Sequence, residues 1–339
     1  MPAASSTPTW SATEEARGLF GPDSVSWRVD RELVVLAGGS CALLLQAAHP
    51  SVAAGVAQHS TYATDPFGRL FRTLDSSFSV AFGSRSEADA TIRRVNAIHA
   101  AVRGRRADGA AYSALDPEAL LWVHATLVDT ALRVYDRFVA PLDPADAQAY
   151  HAEAADVAAR MGVPTGAIPP TLDELRSWMD DLVARGVVRV TPDARRIART
   201  VLYPSALVPR PFWDAAHLVS LATLRPDIRR AYGIGWSSAR ERGLVRLASA
   251  SRRLLPMLPS FARHAPQARR AMRRVASAKR LHSVLPADRD GSHAGTLEGA
   301  RRARGFGGDR ADDVAPQPGG VDDASVDHRA LDPTAAERR

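Results

Sequence analysis

The chain has 339 residues, of which 45% are apolar and 24% are charged, and these proportions exclude a wholly disordered or a collagen-like protein. Its single cysteine, Cys41, excludes a disulfide framework, a zinc site built from cysteines and an iron–sulfur cluster. The longest apolar stretch, residues 34–48, is shorter than the roughly 20 residues that a membrane-spanning helix needs. No signal-peptide pattern precedes it, so we expect a cytoplasmic protein.

The net charge of +7 is unevenly distributed along the chain. Residues 240–282 contain 12 basic residues and one acid, Glu241, whereas residues 283–339 contain 11 acids and 8 bases. Arginine supplies every basic residue except Lys279, a bias that is typical of GC-rich genomes. The arginine content by itself therefore indicates no function, and the local excess in 240–282 is the informative feature.

Apolar residues recur at helical spacing along most of the chain, and turn residues separate the segments. The predicted helices, in chain order, cover residues 28–48, 51–59, 69–82, 87–103, 120–138, 144–161, 172–185, 192–202, 212–224, 227–232 and 237–255. The one stretch with strand character, 187–190, is too short to build a sheet. We therefore predict an all-α fold with a single helical domain over residues 13–282 and disordered termini at 1–12 and 283–339.

Helix-start signals support several of these boundaries. Ser86 followed by Asp89 resembles a cap, and Thr171 followed by Glu174 has the spacing of a capping box. Proline is well suited to the first helical position because its missing N–H is not needed there. Four segments begin in this way, at Pro50, Pro117, Pro144 and Pro192.

Histidines are the first candidates for chemistry. Four of the ten lie in the first 124 residues, on predicted helices or at their edges: His49, His59, His99 and His124. No HExxH, GxSxG, Walker A or GxGxxG pattern accompanies them, so protease, hydrolase and nucleotide-binding functions have no motif. Because neutral imidazole is a common metal ligand, one interpretation is a metal or haem site. The other interpretation is that each histidine is structural.

A second candidate is one face of the predicted helix 69–82, which carries two guanidinium groups and a hydroxyl at positions i, i+3 and i+4. This Arg–Arg–Thr face consists of Arg69, Arg72 and Thr73. Leu70 and Phe71 point elsewhere, and we expect them in the core. The face suits a carboxylate, a haem propionate or an oxyanion. The alternative is a solvated helix face paired with acids such as Asp65 and Asp75.

Separate blocks of the chain resemble, in order and spacing, the signature of one protein family. The first block is Gln46-Ala47-Ala48-His49-Pro50, followed by Val52-Ala53, Gly55-Val56 and His59-Ser60. Later blocks are Arg69-Leu70, Arg72-Thr73, Phe82-Gly83, Val95, His99, Val102, Gly104, Tyr112, Asp116-Pro117, Trp122-Val123-His124, Leu202-Tyr203-Pro204 and Leu224-Arg225-Pro226. Over roughly residues 20–240 the chain resembles the MpaB/rubber-oxygenase family, which includes the latex-clearing proteins.

This resemblance implies an all-helical, globin-like core that holds haem b and performs oxidative chemistry with O2 or peroxide. It implies that His99 is the proximal iron ligand and that the Arg–Arg–Thr face lies on the distal or propionate side, where it supplies the catalytic residues. His49, His59 and His124 are signature positions near the haem without an assigned role.

Two differences from the latex-clearing proteins bear on the substrate. Where those proteins can carry a lysine that ligates iron, this chain has Arg72, which stays protonated and cannot ligate. They also use a glutamate base upstream of the arginine, and this chain has no glutamate between Leu33 and Gly68. The resemblance therefore implies an open distal iron position and a small hydrophobic substrate, isoprenoid or otherwise lipid-like, rather than polyprene cleavage.

The basic segment 240–282 combines arginines with leucines and is interrupted by prolines. Such a stretch can lie on an anionic membrane surface, such as the inner membrane, or form a solvated helical flank. Phosphate binding to nucleic acid is disfavoured because Phe261 is the one aromatic residue there. Two functions follow: a haem-dependent oxygenase or peroxidase-like enzyme, or a non-catalytic helical haem- or lipid-binding protein at the membrane surface.

Overall fold

The computed structural model describes residues 10–284, and nearly all regular structure in this range is helical. The predicted all-α fold is therefore confirmed. The predicted disordered termini, 1–12 and 283–339, lie outside the described residues except for residues 10–12 and 283–284.

Sixteen α-helices follow one another in the described part of the chain. The first eight are α1 (Ala12–Arg17), α2 (Val25–Asp30), α3 (Gly39–Ala48), α4 (Pro50–His59), α5 (Pro66–Phe82), α6 (Arg85–Ala101), α7 (Pro117–Phe138) and α8 (Pro144–Arg160). The other eight are α9 (Leu172–Ala184), α10 (Pro192–Leu202), α11 (Arg210–Ala216), α12 (Leu218–Thr223), α13 (Pro226–Ala231), α14 (Ser238–Leu254), α15 (Ser260–Arg263) and α16 (Pro266–Val284). Short 3-10 helices cover Leu33–Gly38, Thr165–Ala167 and Leu255–Met257.

Side-chain caps fix where the helices begin. Helix α5 begins at Pro66, earlier than predicted, because the Asp65 carboxylate accepts a hydrogen bond from the Gly68 amide at 2.9 Å. Helix α6 begins at Arg85 because Ser84, rather than Ser86, is its N-cap and forms a reciprocal capping box with Glu87. The proline starts of α4, α7, α8 and α10 are confirmed.

Helix α7 is the centre of the main core. It packs against α3, α8, α9, α14 and the 3-10 helix Leu33–Gly38. The fully buried Trp122 donates its indole N–H to the Leu45 carbonyl of α3 at 2.9 Å. A Cβ on Gly38 would lie 2.8 Å from Thr130 of α7, so this position has room only for glycine. At Gly39, in contrast, a Cβ would meet open space.

The prediction of one helix over 28–48 is wrong, because the chain breaks after α2 and again at Gly38. The first break places Glu32 against the C-terminal part of the chain, where its backbone forms an antiparallel bridge with His264. The Glu32 carboxylate is completely buried, and it accepts a hydrogen bond from Arg263 Nε at 2.7 Å. A buried carboxylate is costly unless it is paired, and the break brings Glu32 within reach of Arg263.

The structure also adds a small sheet that the apolar spacing does not reveal. Strands β1 (Arg103–Arg105) and β2 (Ala111–Ser113) pair antiparallel, and Gly109 turns between them with a positive φ of 83°. Helix α6 consequently ends at Ala101, before the predicted end at Arg103. Strands of three residues are too short to show a clear alternation. The stretch 187–190 contains no strand.

No single helix in residues 10–284 is both long enough and apolar enough to cross a membrane. The pair Leu33–Ala48 and Pro50–His59 meets the length and composition test together, and it is bent by 104°.

Candidate active site

The candidate site lies at the open end of the α5–α6 hairpin. The two helices have 17 residues each, pack against each other and are joined by Gly83 and Ser84 alone. So short a connection makes neighbouring helices antiparallel. From this connection we infer that the first turns of α5, with Arg69, and the last turns of α6, with His99, lie at the same end of the helix pair.

The end of α4 is held at the same place by two hydrogen bonds. Arg69 Nε donates to Ser60 Oγ at 2.6 Å. The His59 Nε2 atom lies 3.2 Å from the carbonyl oxygen of Arg103, just beyond α6. We call this region, where α4 ends, α5 begins and α6 ends, the α4–α6 corner; it consists of residues 58–60, 65–73 and 95–103. Five predicted site residues belong to it: His59, Arg69, Arg72, Thr73 and His99.

The three members of the Arg–Arg–Thr face have different partners. Arg72 forms an ion pair with Asp65 at 3.1 Å and donates to Thr61 Oγ1 at 3.0 Å, so the alternative of pairing with an acid is confirmed for this residue. Thr73 Oγ1 donates to the carbonyl oxygen of Arg69 within the helix. Arg69 forms no ion pair with any residue that the structure describes.

Arg69 is therefore the member of the face whose charge is uncompensated. Burial lowers the pKa of its guanidinium, and the positive charge of Arg72 lowers it further. An arginine nevertheless stays protonated at neutral pH. A largely buried guanidinium without a carboxylate partner is suited to binding an anion.

His99 occupies the last turn of α6 and is half-buried. Burial lowers the pKa of its imidazole, so the ring is neutral at pH 7. Its buried Nδ1 atom has no hydrogen-bond partner, and the ring makes no hydrogen bond to any described residue. A neutral imidazole with a free lone pair is the form that ligates a metal.

The expectation that Leu70 and Phe71 lie in the core is wrong. Phe71 is 67% exposed and Leu70 is 40% exposed, and Phe67 on α5 and Ile98 on α6 are exposed as well. The corner thus combines uncovered apolar side chains with Arg69 and His99. The spacing places these residues on a helix, as predicted, but it does not show that no element in residues 10–284 covers this face.

His49 lies away from this corner, at the start of α4, whereas His59 is at its end. Ten helical residues separate the two by about 15 Å. His49 is buried, its Nε2 lies 3.7 Å from a Glu118 carboxylate oxygen, and neither ring nitrogen has a hydrogen-bond partner. Burial lowers its pKa, and the Glu118 carboxylate opposes this effect.

His124 lies on α7 and is close to His151 of α8, which the sequence analysis did not single out. Burial and the proximity of His151 lower the pKa of His124 to about 4. The His151 Nε2 atom is 2.8 Å from the Pro169 carbonyl oxygen, and one ring nitrogen of each histidine is buried without a partner. His151 is one histidine in the largely polar sequence of α8, and no sequence pattern there indicates that it lies close to His124.

The four predicted histidines are thus divided among the α4–α6 corner, the start of α4 and the α7–α8 interface. In residues 10–284 no group of three or more histidine, cysteine, aspartate or glutamate side chains could hold a metal ion. The structure does not bring the four histidines together at one point.

Comparison with known proteins gives three findings. No solved structure matches this chain. Two curated relatives, the uncharacterized protein Mb2261 of Mycobacterium bovis and the uncharacterized protein Rv2237 of Mycobacterium tuberculosis, are each 29% identical over 228 residues, which is 63% of this chain and 87% of each relative. Residues 27–253 match a family described as "ER-bound oxygenase mpaB/B'/Rubber oxygenase, catalytic domain". This match covers the α4–α6 corner and most of the described helices, and the chain belongs to the MpaB/rubber-oxygenase family.

Proposed function

We propose that this member of the oxygenase family is a haem-b-dependent oxygenase or peroxidase-like oxidoreductase, with a small hydrophobic substrate and His99 as its iron ligand. The observation that carries the proposal is the state of His99. It is a neutral, half-buried imidazole whose buried Nδ1 has no hydrogen-bond partner. Buried polar atoms usually have a partner, and an iron ion bound to His99 would supply one.

The residues around His99 fit the chemistry of haem b, which combines an apolar ring, two propionates and an iron ion. Arg69 offers an uncompensated positive charge to a carboxylate. Phe67, Leu70 and Phe71 are apolar side chains that remain exposed on the same turns of α5. A flat apolar group held at this corner would remove them from water, which is favourable.

Haem, when bound, supplies a redox-active iron for chemistry with O2 or peroxide. In this proposal His99 would hold the group through one ring nitrogen. Arg69 stabilises negative charge, either on a propionate or on the oxidant, in a setting that is partly shielded from water. The charge of Arg72 is offset by Asp65, so Arg72 and Thr73 contribute less.

An absorption spectrum tests the cofactor and its ligand together. Protein expressed with a haem precursor should show a Soret band at stoichiometric haem, and His99→Ala should lose it. His217→Ala is the matched control, because His217 is also half-buried, has a pKa lowered by burial and has an unpartnered ring nitrogen. A folded but colourless wild-type protein would contradict the haem proposal. Full haem retention in His99→Ala would contradict the ligand assignment.

Oxygen consumption tests the role of Arg69 and distinguishes an enzyme from a carrier. With squalene as an isoprenoid probe, we expect Arg69→Ala to lower either haem retention or O2 and peroxide consumption by about tenfold or more, the effect of removing one charge-assisted hydrogen bond. Arg72→Ala should have a smaller effect because Asp65 already neutralises Arg72. Haem binding without consumption under any of these conditions would indicate the non-catalytic haem-binding protein instead.

A further inference from the structure

The segment between α14 and α16 exposes apolar side chains that no element in residues 10–284 covers. From Leu254 to Phe261 the chain passes through a 3-10 helix and two prolines into the short helix α15. Met257 is 78% exposed and Phe261 is 66% exposed, and Leu254 and Leu258 are also exposed. We call these residues, 254–261, the apolar loop. Large apolar side chains grouped on a surface mark an interaction site.

Both ends of the apolar loop are held firmly to the body of the protein. Before it, Ser251 Oγ donates to the Phe138 carbonyl oxygen at 2.7 Å. After it, Arg263 donates to the buried Glu32 carboxylate at 2.7 Å, and the Ala265 amide donates to the Arg31 carbonyl oxygen at 2.8 Å. The exposed side chains are therefore presented by a fixed loop, and binding through them costs little ordering entropy.

The surface next to the apolar loop is strongly basic. Arg242, Arg246 and Arg253 are spaced at i, i+4 and i+11 and so form a stripe on α14, opposite the buried Leu244 and Ala248. None of the three has a hydrogen bond or an ion pair with a residue that the structure describes. Residues 242–282 contain no aspartate or glutamate. The stripe leads directly into the loop, since Arg253 precedes Leu254.

We propose that the apolar loop inserts into the surface of an anionic lipid bilayer while the arginine stripe contacts its headgroups. A fixed apolar protrusion flanked by uncompensated cations matches the two layers of such a surface. A second copy of the chain would bring like-charged stripes together. Nucleic acid would satisfy the arginines but would leave Met257 and the leucines without an apolar partner. This inference does not rest on the haem proposal.

Vesicle sedimentation tests the inference with the full-length protein. The wild type should sediment with phosphatidylglycerol/phosphatidylcholine vesicles and stay in the supernatant with phosphatidylcholine alone. The double variant Met257→Ser/Phe261→Ser should bind the anionic vesicles with an affinity at least about tenfold lower, because both positions lose an apolar side chain that the bilayer would bury. Leu207→Ser/Phe212→Ser is the matched control: these residues are also exposed and apolar but lie outside the loop.

A variant of the arginine stripe tests the headgroup contacts separately from the loop. Arg246→Ser/Arg253→Ser should weaken binding and reduce its salt dependence, because salt screens headgroup attraction. Haem content, measured in parallel, reports on the proposed active site independently.

Any one of the following results would overturn the proposal. The wild type would ignore anionic vesicles, or the loop variant would bind them as well as the wild type does. Alternatively, duplex DNA would retain the wild type more tightly than the vesicles, or the loop substitutions would dissociate a dimer. If the loop variant failed to fold, equal binding of the wild type to neutral and anionic vesicles would serve as the contradicting result.

Discussion

The α7 core and the α4–α6 corner are built from similar residues but are satisfied to very different degrees. In the core, the Trp122 side chain is fully buried, and its one polar atom donates to the Leu45 carbonyl. At the corner, Phe71 is largely exposed. Among the described residues, Arg69 has no acidic partner and the buried Nδ1 of His99 has no hydrogen-bond partner. Trp122 is thus satisfied by its neighbours in the fold, whereas Arg69 and His99 lack such partners among the described residues.

This difference suggests a test: substitutions in the core should affect stability, and substitutions at the corner should affect binding. Core residues gain free energy from burial and close packing, so substitutions there should unfold the protein. Corner residues contribute little to folding, and substitutions there should change what is bound. The following predictions test this division, from the largest expected effect to the smallest.

Trp122→Ala should lower the free energy of unfolding by about 3–5 kcal/mol, because it removes a fully buried indole and leaves a cavity. Phe71→Ala, at the exposed corner position, should change it by no more than about 0.5 kcal/mol. Denaturant unfolding of the haem-free protein measures both. A comparable loss in the two variants would remove the distinction between core and corner.

Gly38→Ala should lower the free energy of unfolding by about 1–3 kcal/mol, because its Cβ would overlap Thr130 and Val134 of α7. Gly39→Ala is its control, since the added methyl group meets open space and alanine favours a helix. The same unfolding assay applies. Equal stability of the two variants would mean that α3 and α7 can move apart without cost.

His124 on α7 differs from Trp122 on the same helix, since one of its ring nitrogens is unsatisfied. Its pKa is lowered from 6.5 to about 4 in the folded protein, so the unfolded chain binds more protons between these values and stability falls as pH falls. From pH 7 to pH 5.5 we expect this histidine to account for a loss of about 1 kcal/mol. The loss should disappear in His124→Gln, which cannot titrate. An unchanged pH dependence in that variant would assign the effect to another histidine.

Local signals in the sequence predict most of the helices. Pro117, Pro144 and Pro192 mark helix starts that the structure keeps, and apolar spacing alone was enough to establish the all-α fold. Helix starts and apolar spacing depend on residues within one or two turns of each other, so they can be recognised in the sequence alone. The sequence blocks around His49 and Arg69 likewise carry the family resemblance without any structural information.

Only the tertiary structure decided which residues meet and which stay uncovered. The break at Glu32 depends on Arg263, more than 200 residues later, and Phe71 is exposed because no element in residues 10–284 covers its side of α5. Arg69 and Arg72 are equivalent by spacing, yet Asp65 neutralises only one of them. The pairing of the buried Glu32 carboxylate is set by a group that is distant in the chain, so no local pattern can encode it.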